Sequence, residues 1–472
     1  MGELYQKLTE YGKSDYYPYH MPGHKRRLTT ETLGELAGID ITEIDGFDNL
    51  HEATGILQKI QKKAACVYGA QESYYLINGS TAGVLAAISA TVSEGGKILM
   101  VRGAHKSAYH AAFLKNLQIT YLWPGVHPVF GNHLPADADE IREALDREQD
   151  IQAVFIVSPT YEGLVADVKK IAEIVHARGI PLIVDEAHGA HLGFAEGFAL
   201  NSSRLGADLV VSSLHKTLPA PTQTAVLHVC GSLADRKKLR RYLSVYQSSS
   251  PSYLFMAAME DAIDLVSREK EKLFGQFRAY WKEMMQQLQN CKNLIFLQEK
   301  NSDIGKLVIA DGSGCFSGAK LYEILLTEYH LQMEMAAGRY VLAMFTVGDD
   351  IEGYHRLTKA LLEIDERCIS QGAPKMPCRQ LQARAVMSIR DAWDAEKETL
   401  PLQKTEGCIS AEYINLYPPG SPILVPGEVI TKEIINEIED YQKNGFHVQG
   451  ICREQNGIGV SIVSGKRFPD TK

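Results

Sequence analysis

The sequence predicts an α/β fold built on a mostly parallel sheet that is covered on both faces. Three observations carry that reading. Between residues 57 and 230, short apolar runs alternate with helix-period segments, the pattern of βαβ units. The runs are close to continuous in apolar residues, as in Ile180-Pro-Leu-Ile-Val184, which suits strands buried on both sides. Histidine, carboxylate and lysine side chains follow directly after the runs, at the carboxyl ends of strands, where open α/β sheets hold their ligands.

The elements follow in order. Residues 1–50 are polar and turn-rich, with His20-Met-Pro-Gly-His-Lys25 at their middle. No amphipathic helix of useful length is expected before Leu57, so this segment reads as an arm lying against something else. The predicted strands are Tyr74–Ile77, Lys97–Val101, Ile119–Trp123, Ala153–Ser158, Pro181–Asp185, Leu209–Leu214 and Thr224–Val229. Helix-period segments include Asp137–Glu148 and Asp167–Arg178, and residues 255–292 read as a charged helix. Residues 306–365 read strand–helix–strand–strand–helix, a second and smaller α/β unit. Gln371-Gly-Ala-Pro-Lys-Met-Pro377 reads as a linker. The remainder contains Tyr417-Pro-Pro-Gly420 and a predicted helix over Glu428–Lys443. The expected division is an arm (1–50), a major domain (51–300), a small α/β domain (301–372) and a C-terminal α+β unit (378–472).

Composition narrows the function classes. A chain of 472 residues with 45% hydrophobic and 23% charged residues is an ordinary globular mixture. A formal net charge of −9 argues against a nucleic-acid binder, which carries a basic patch or stripe. The 8 cysteines are scattered without a C-x-x-C, so neither a zinc site nor a disulfide framework is expected. The N-terminus lacks an apolar signal region, and no run is long enough to span a membrane. A cytoplasmic protein with reduced thiols is the expectation.

Four features carry chemistry, each weak alone. Ser213-Leu-His-Lys-Thr217 follows a strand, and Lys216 there could form a Schiff base with an aldehyde cofactor; a lone strand-end lysine is more often a solvated loop residue. Asp185-Glu-Ala-His188 follows another strand, and Asp185 could pair with a protonated pyridine nitrogen or simply cap a helix. The nearby pair His188 and His191 matches no common zinc spacing, so no metal is expected. Asn78-Gly-Ser-Thr-Ala-Gly83 lies between strand and helix, where backbone N–H groups and two hydroxyls make an anion site or an ordinary cap. It is not a nucleotide-binding P-loop, since it lacks the G-K-[ST] ending. His105, after the strand Lys97–Val101, could stack on an aromatic ring. In one parallel-sheet domain these features occur in the chain order of fold-type I enzymes, whose cofactor is pyridoxal 5'-phosphate (PLP).

The chain resembles the Orn/Lys/Arg decarboxylase family of bacterial basic amino acid decarboxylases. The matching stretches are His20-Met-Pro-Gly-His-Lys25, Asp40–His51, Asn78–Gly83, His105-Lys-Ser107, Ser158-Pro-Thr-Tyr-Glu-Gly163, Asp185–His188, Ser213–Thr217, Ser250-Pro-Ser-Tyr253 and Tyr417–Gly420. They run from the arm to the C-terminal unit. The resemblance implies that Lys216 carries PLP, Asp185 pairs with the ring nitrogen and His105 stacks on the ring. It places Ser80, Thr81, Ser213 and His215 around the phosphate and His188 near the departing carboxylate. It assigns the distal cation of a basic amino acid to Glu334, in the segment His330-Leu-Gln-Met-Glu-Met335. Alternation over Leu331–Met335 puts Glu334 on the opposite strand face from Leu331, Met333 and Met335, which a solvent-facing residue would also satisfy. The family often has Ser-Thr-His-Lys at the cofactor lysine; Leu214 stands at the Thr position here, two residues before Lys216, where no phosphate ligand is required. The likeness is to the short form, without the receiver-like domain and decameric assembly of the large members. A homodimer is implied, with the arm reaching toward the neighbouring active site.

Two other readings remain open from residues alone. An aminotransferase would clamp the α-carboxylate in the ring plane with an arginine, and Arg339 and Arg356 are available by position. A non-catalytic PLP-binding protein would show the cofactor features without turnover. Arginine, lysine and ornithine all present a cation on an aliphatic chain; the resemblance leans to arginine, giving agmatine and CO2 on the way to polyamines.

Overall fold

The computed structural model describes residues 2–368, 382–416, 422–443, 447–454 and 457–468. The expected linker 371–377 and the motif Tyr417–Gly420 lie outside them. The central sheet is formed by β1 (Glu72–Leu76), β2 (Lys97–Val101), β3 (Gln118–Leu122), β4 (Ile151–Val157), β5 (Leu182–Asp185), β6 (Leu209–Ser213) and β7 (Ala225–Val229). Their order is β1-β7-β6-β5-β4-β2-β3. Strands β2 to β6 pair in parallel, and β7 is antiparallel to both β6 and β1. Thus β1 runs with the parallel set, and six carboxyl ends share one edge. Each strand lies within two residues of its predicted run.

Alternate side chains of these strands feed two cores, as the period-2 geometry of a strand requires. Ile98 and Met100 pack with one cluster and Leu99 with another. The helices that cover the sheet are α1 (Glu3–Gly12), α2 (Ile56–Tyr68), α3 (Gly79–Thr91), α4 (Lys106–Lys115), α5 (Ala138–Arg147), α6 (Val168–His176), the short α7 (Leu214–Thr217), α8 (Arg236–Tyr246) and the long α9 (Tyr253–Leu288). Helix α3 sits hard against the sheet: a Cβ on Gly83 would lie 2.6 Å from Leu76 Cδ1 and 2.9 Å from Val211 Cγ1. That contact fixes where the N-terminus of α3 meets the sheet edge.

The N-terminal segment differs from the expected arm. Helix α1 forms before Leu57, and its Leu4 and Leu8 are fully buried in the cluster shared by α2 and α9. Glu260 of α9 accepts the backbone N–H groups of Glu3 and Leu4, both at 2.9 Å. Tyr253 donates to the Asp48 carbonyl at 2.6 Å, and Asp48 in turn caps α2 by accepting the amides of Gly55 and Leu57. Both ends of the segment therefore belong to the core of their own chain.

The smaller sheet has the order β10-β11-β9-β8, from β8 (Leu294–Phe296), β9 (Lys306–Asp311), β10 (Met335–Ala337) and β11 (Tyr340–Met344). Helices α10 (Gly318–Thr327) and α11 (Ile351–Arg367) complete the expected strand–helix–strand–strand–helix order. In the C-terminal unit the predicted helix over Glu428–Lys443 begins four residues later, as Lys432–Lys443. Ile430 fits the helical stripe, but its N–H bonds the Cys408 carbonyl at 2.9 Å and Val429 bridges Ile409.

Glu428 instead reaches back to the major domain. Its carboxylate meets Arg102 at 3.0 Å, with both side chains buried. Arg102 also donates to the Pro422 carbonyl at 3.0 Å. Burial raises the Glu428 carboxyl and the guanidinium opposes that rise. Removing one member strands a buried charge, at about 3–5 kcal/mol. Glu428→Ala is therefore expected to lower the denaturant midpoint markedly, and the Arg102→Met/Glu428→Met pair to restore much of it. Equal stability of Glu428→Ala and wild type in urea titration would refute this assignment.

Candidate active site

The residues singled out from sequence gather at the shared carboxyl edge. His105 follows β2, Asp185 ends β5, and Lys216 lies in the turn of helix after β6. The loop Asn78–Gly79 follows β1, and Gly79 takes a φ of +73° that favours glycine. Gln223, which precedes antiparallel β7, closes this loop onto the others: its amide donates to the Ile77 carbonyl at 2.6 Å. Its neighbour Thr224 offers its carbonyl to His215 Nδ1 at 2.9 Å. Ser80 and Thr81 open α3, whose first N–H groups have no side-chain cap from Asn78. Ser213 Oγ is buried without a hydrogen-bond partner among the described residues.

His188 is the hub of the cluster. Its Nε2 lies 3.0 Å from Lys216 Nζ and its Nδ1 lies 3.0 Å from Lys306 Nζ. Burial first, then Lys306 and Lys216, hold its pKa well below the usual histidine range. His105 is pushed down to about 4, by burial and then by Lys216, so its ring is neutral at neutral pH. Its Nδ1 meets Ser107 Oγ at 2.9 Å, which fixes the ring at the start of α4. Asp185 is only 5% exposed. Its Oδ1 accepts the Ala187 N–H at 3.1 Å. Burial raises this carboxyl and the Lys216 charge pulls it back. Lys216 is itself lowered by burial, against Asp185 and Glu334.

Glu334 joins the same site from the smaller domain. It sits just before β10 rather than inside a strand, and its N–H bonds the Leu342 carbonyl at 2.9 Å. The alternation read from sequence holds: Met333 and Met335 are buried while Glu334 is exposed. Tyr161 donates its hydroxyl to Glu334, and its ring lies 4.5 Å from that of His188. Arg356, available by position as a carboxylate clamp, is exposed and donates to the Tyr329 and His330 carbonyls at 3.3 and 3.2 Å.

Sequence reasoning missed two members. Tyr161 lies within the quoted stretch Ser158–Gly163, so its motif was visible though its role was not. Lys306 had no sequence signal beyond opening a predicted strand; it is buried, with a pKa lowered to about 8 by burial. Gly163 lets the Tyr161 loop reach it, since a Cβ there would lie 2.7 Å from Lys306 Cβ. Asp303 braces the same corner by accepting from Gly305 N at 2.9 Å and pairing with His191 at 3.0 Å. His191 thus faces Asp303, while His188 faces the two lysines.

A parallel sheet with lysine, carboxylate and histidine at one edge, plus a helix N-terminus, defines the architecture of a fold-type I enzyme. Comparison with known proteins places it more closely. Residues 2–317 match the major domain of the Orn/Lys/Arg decarboxylases and residues 371–468 match their C-terminal domain, and the chain belongs to that family. It is 28% identical to an arginine decarboxylase of Halalkalibacterium halodurans, over 95% of this chain and 94% of the relative. It is 29% identical to an arginine decarboxylase of Bacillus subtilis, over 95% of each. The crystal structure of the Francisella novicida lysine decarboxylase LdcF superposes with a TM-score of 0.84 at 18% identity, covering 98% of this chain and 81% of that one.

Proposed function

We propose that this basic amino acid decarboxylase acts on arginine, releasing agmatine and CO2, with PLP held at Lys216. The observation that carries the reading is the pairing of Lys216 with His188 at 3.0 Å beside a buried Asp185 at the next strand end. The full-length relatives at 28% and 29% identity are named arginine decarboxylases, which supports the choice of substrate.

The residues present fit the cofactor. A carboxylate as buried as Asp185 calls for a cationic partner, and a pyridinium N–H is one. The orphaned Ser213 hydroxyl, with Ser80, Thr81, His215 and the first N–H groups of α3, makes a donor set for a phosphate. When bound, PLP supplies an electron sink for the bond broken at the substrate's α-carbon.

The chain's own groups then divide the work. Lys216 offers the amine, and its lowered pKa raises the neutral, reactive fraction. The neutral His105 ring would stack on the cofactor without adding charge. Glu334 accepts the substrate's distal cation, which turns the α-carboxylate toward His188. Tyr161 orients Glu334 and screens the His188 side from water. Arg356, bound to backbone carbonyls, is not placed as an in-plane carboxylate clamp, and the match to the decarboxylase family favours decarboxylation over transamination.

The direct test is CO2 release from arginine, lysine and ornithine by the purified protein, with its visible spectrum recorded. A yellow protein with arginine as the fastest substrate is expected. Colour without CO2 would support a binding protein, and a faster rate on lysine or ornithine would overturn the substrate. Glu334→Gln is expected to raise KM by roughly one to two orders of magnitude, the equivalent of an ionic hydrogen bond of about 1.5–3 kcal/mol. Its visible spectrum should be unchanged; an unaltered preference for arginine over a neutral analogue would remove Glu334 from this role.

The chain is also proposed to act as a homodimer. Tyr16, Tyr17, Tyr19, Met21 and Leu28 form an exposed apolar stretch of the N-terminal segment, with Tyr19 at 89% exposure. Such a stretch suits a partner surface. Sedimentation equilibrium showing an active monomer would refute it.

A further inference from the structure

We propose that Lys306 is the far end of a proton relay, Lys216–His188–Lys306, through which Lys216 gives up and recovers the proton that controls its reactivity. The inference rests on Lys216 being the cofactor lysine. It begins from geometry: one imidazole bridges two lysine amines, each at 3.0 Å, through opposite ring nitrogens. A neutral imidazole has one N–H and one lone pair. One lysine must therefore donate to the ring, and the other must accept from it as a neutral amine. The bridge has two arrangements that differ by two short proton movements. The Lys216 ammonium passes a proton to Nε2, and the Nδ1 proton passes to Lys306. Lys216 is left with a free lone pair, Lys306 becomes the ammonium, and the imidazole has exchanged tautomers. No proton leaves for solvent and the charge of the trio is unchanged.

The surroundings suit a proton holder better than a structural cation. Lys306 is 4% exposed. Its hydrogen bond goes to His188 and not to any of the three carboxylates that face it, Asp303, Glu334 and Glu162. Those acids favour its charged form, and burial and Lys216 oppose them. The Tyr161 ring lies 5.5 Å from its Nζ. The balance leaves an amine near 8, able to hold or release a proton close to neutral pH. On the other side, Lys216 faces Asp185 and Glu334, and His188 also faces His105 and His215. Lys306 touches neither reacting group and acts through His188, so it is a positioning residue.

The experiment is reconstitution of cofactor-free protein with PLP across a pH series, following the visible band of the lysine-bound form. Lys306→Ala should take up the cofactor about a hundredfold more slowly at neutral pH, the lower end of what a positioned proton transfer contributes. Its pH profile should move upward, because Lys216 retains its proton longer. Added trimethylamine, a base that cannot condense with the cofactor's aldehyde, should restore the rate. Lys306→Arg keeps the charge but cannot accept a proton, and should remain slow. A wild-type rate for either variant, or no recovery with trimethylamine, overturns the relay. Absence of the band in wild type would instead overturn the PLP reading beneath it. In the unmodified protein, the ring 15N shifts of His188, assigned against His188→Asn, should report averaged tautomers. A single fixed tautomer between about pH 7 and 9 would exclude the exchange.

Discussion

Lys216→Ala is expected to abolish the visible absorbance of the lysine-bound cofactor and to reduce CO2 release by orders of magnitude. The expectation follows from placement. Lys216 sits at the end of β6, largely buried, within 3.0 Å of His188 and beside the Asp185 carboxylate at the neighbouring strand end. Alanine removes the amine while keeping the short helix α7, which is held by the Leu214 contact with Thr224 and by the buried Leu214 and Thr217. The fold should survive, since among the described residues the lysine amine bonds His188 and no core residue. Borohydride reduction followed by peptide mapping checks the assignment: the wild type should carry the adduct on Lys216 and the variant should carry none. A trappable adduct on the variant with near-normal turnover would assign the cofactor to another amine, and Lys306 would then be the next to examine.

What the sequence made legible, and what it did not, has a physical pattern. The inner strands of the central sheet were readable because burial on both faces favours apolar runs, as in Ile151–Val157; the edge strand Gln118–Leu122 is only partly buried and was marked by its Ile-Thr-Tyr-Leu run alone. Asp185, His105 and Lys216 were readable because the parallel sheet places whatever follows each run at one edge. Helix α1 escaped because a helix of ten residues with two buried leucines has too short an apolar stripe to register. The helix starts at Lys432 and not at Glu428 because Ile430 continues the helical spacing while its backbone N–H bonds the Cys408 carbonyl. The Arg102–Glu428 pair joins residues 326 positions apart, and nothing local foretells it. Lys306 is the most instructive miss. It opens an ordinary strand of the smaller domain, and only the docking of that domain onto the Tyr161 loop brings its amine to His188.

Asp185→Asn is expected to leave PLP bound while slowing the chemical step by at least about a hundredfold, equivalent to about 2.7 kcal/mol of transition-state stabilisation. Asparagine keeps an oxygen for the Ala187 N–H, which Asp185 now holds at 3.1 Å, but it loses the charge. The charge is the part that matters for a protonated ring nitrogen, and Asp185 is a buried acid whose charge acts on Lys216 at the strand edge. A second, opposite effect separates this role from a structural one. Without the cofactor, burial raises the Asp185 carboxyl above its ordinary value, so the ionised form is disfavoured in the folded chain. The native state then binds more protons than the unfolded state between the ordinary and the raised values. Stability contributed by this group is present at low pH and is lost as pH rises through the raised value. The neutral amide escapes that loss, so the cofactor-free variant should melt at or above the wild type near pH 7, with the difference shrinking on acidification. With PLP bound the order should reverse, because only the aspartate gains an ion pair. A variant that melts lower than wild type in both states would make Asp185 a structural residue. Unchanged turnover with a wild-type spectrum would mean that another group partners the ring nitrogen.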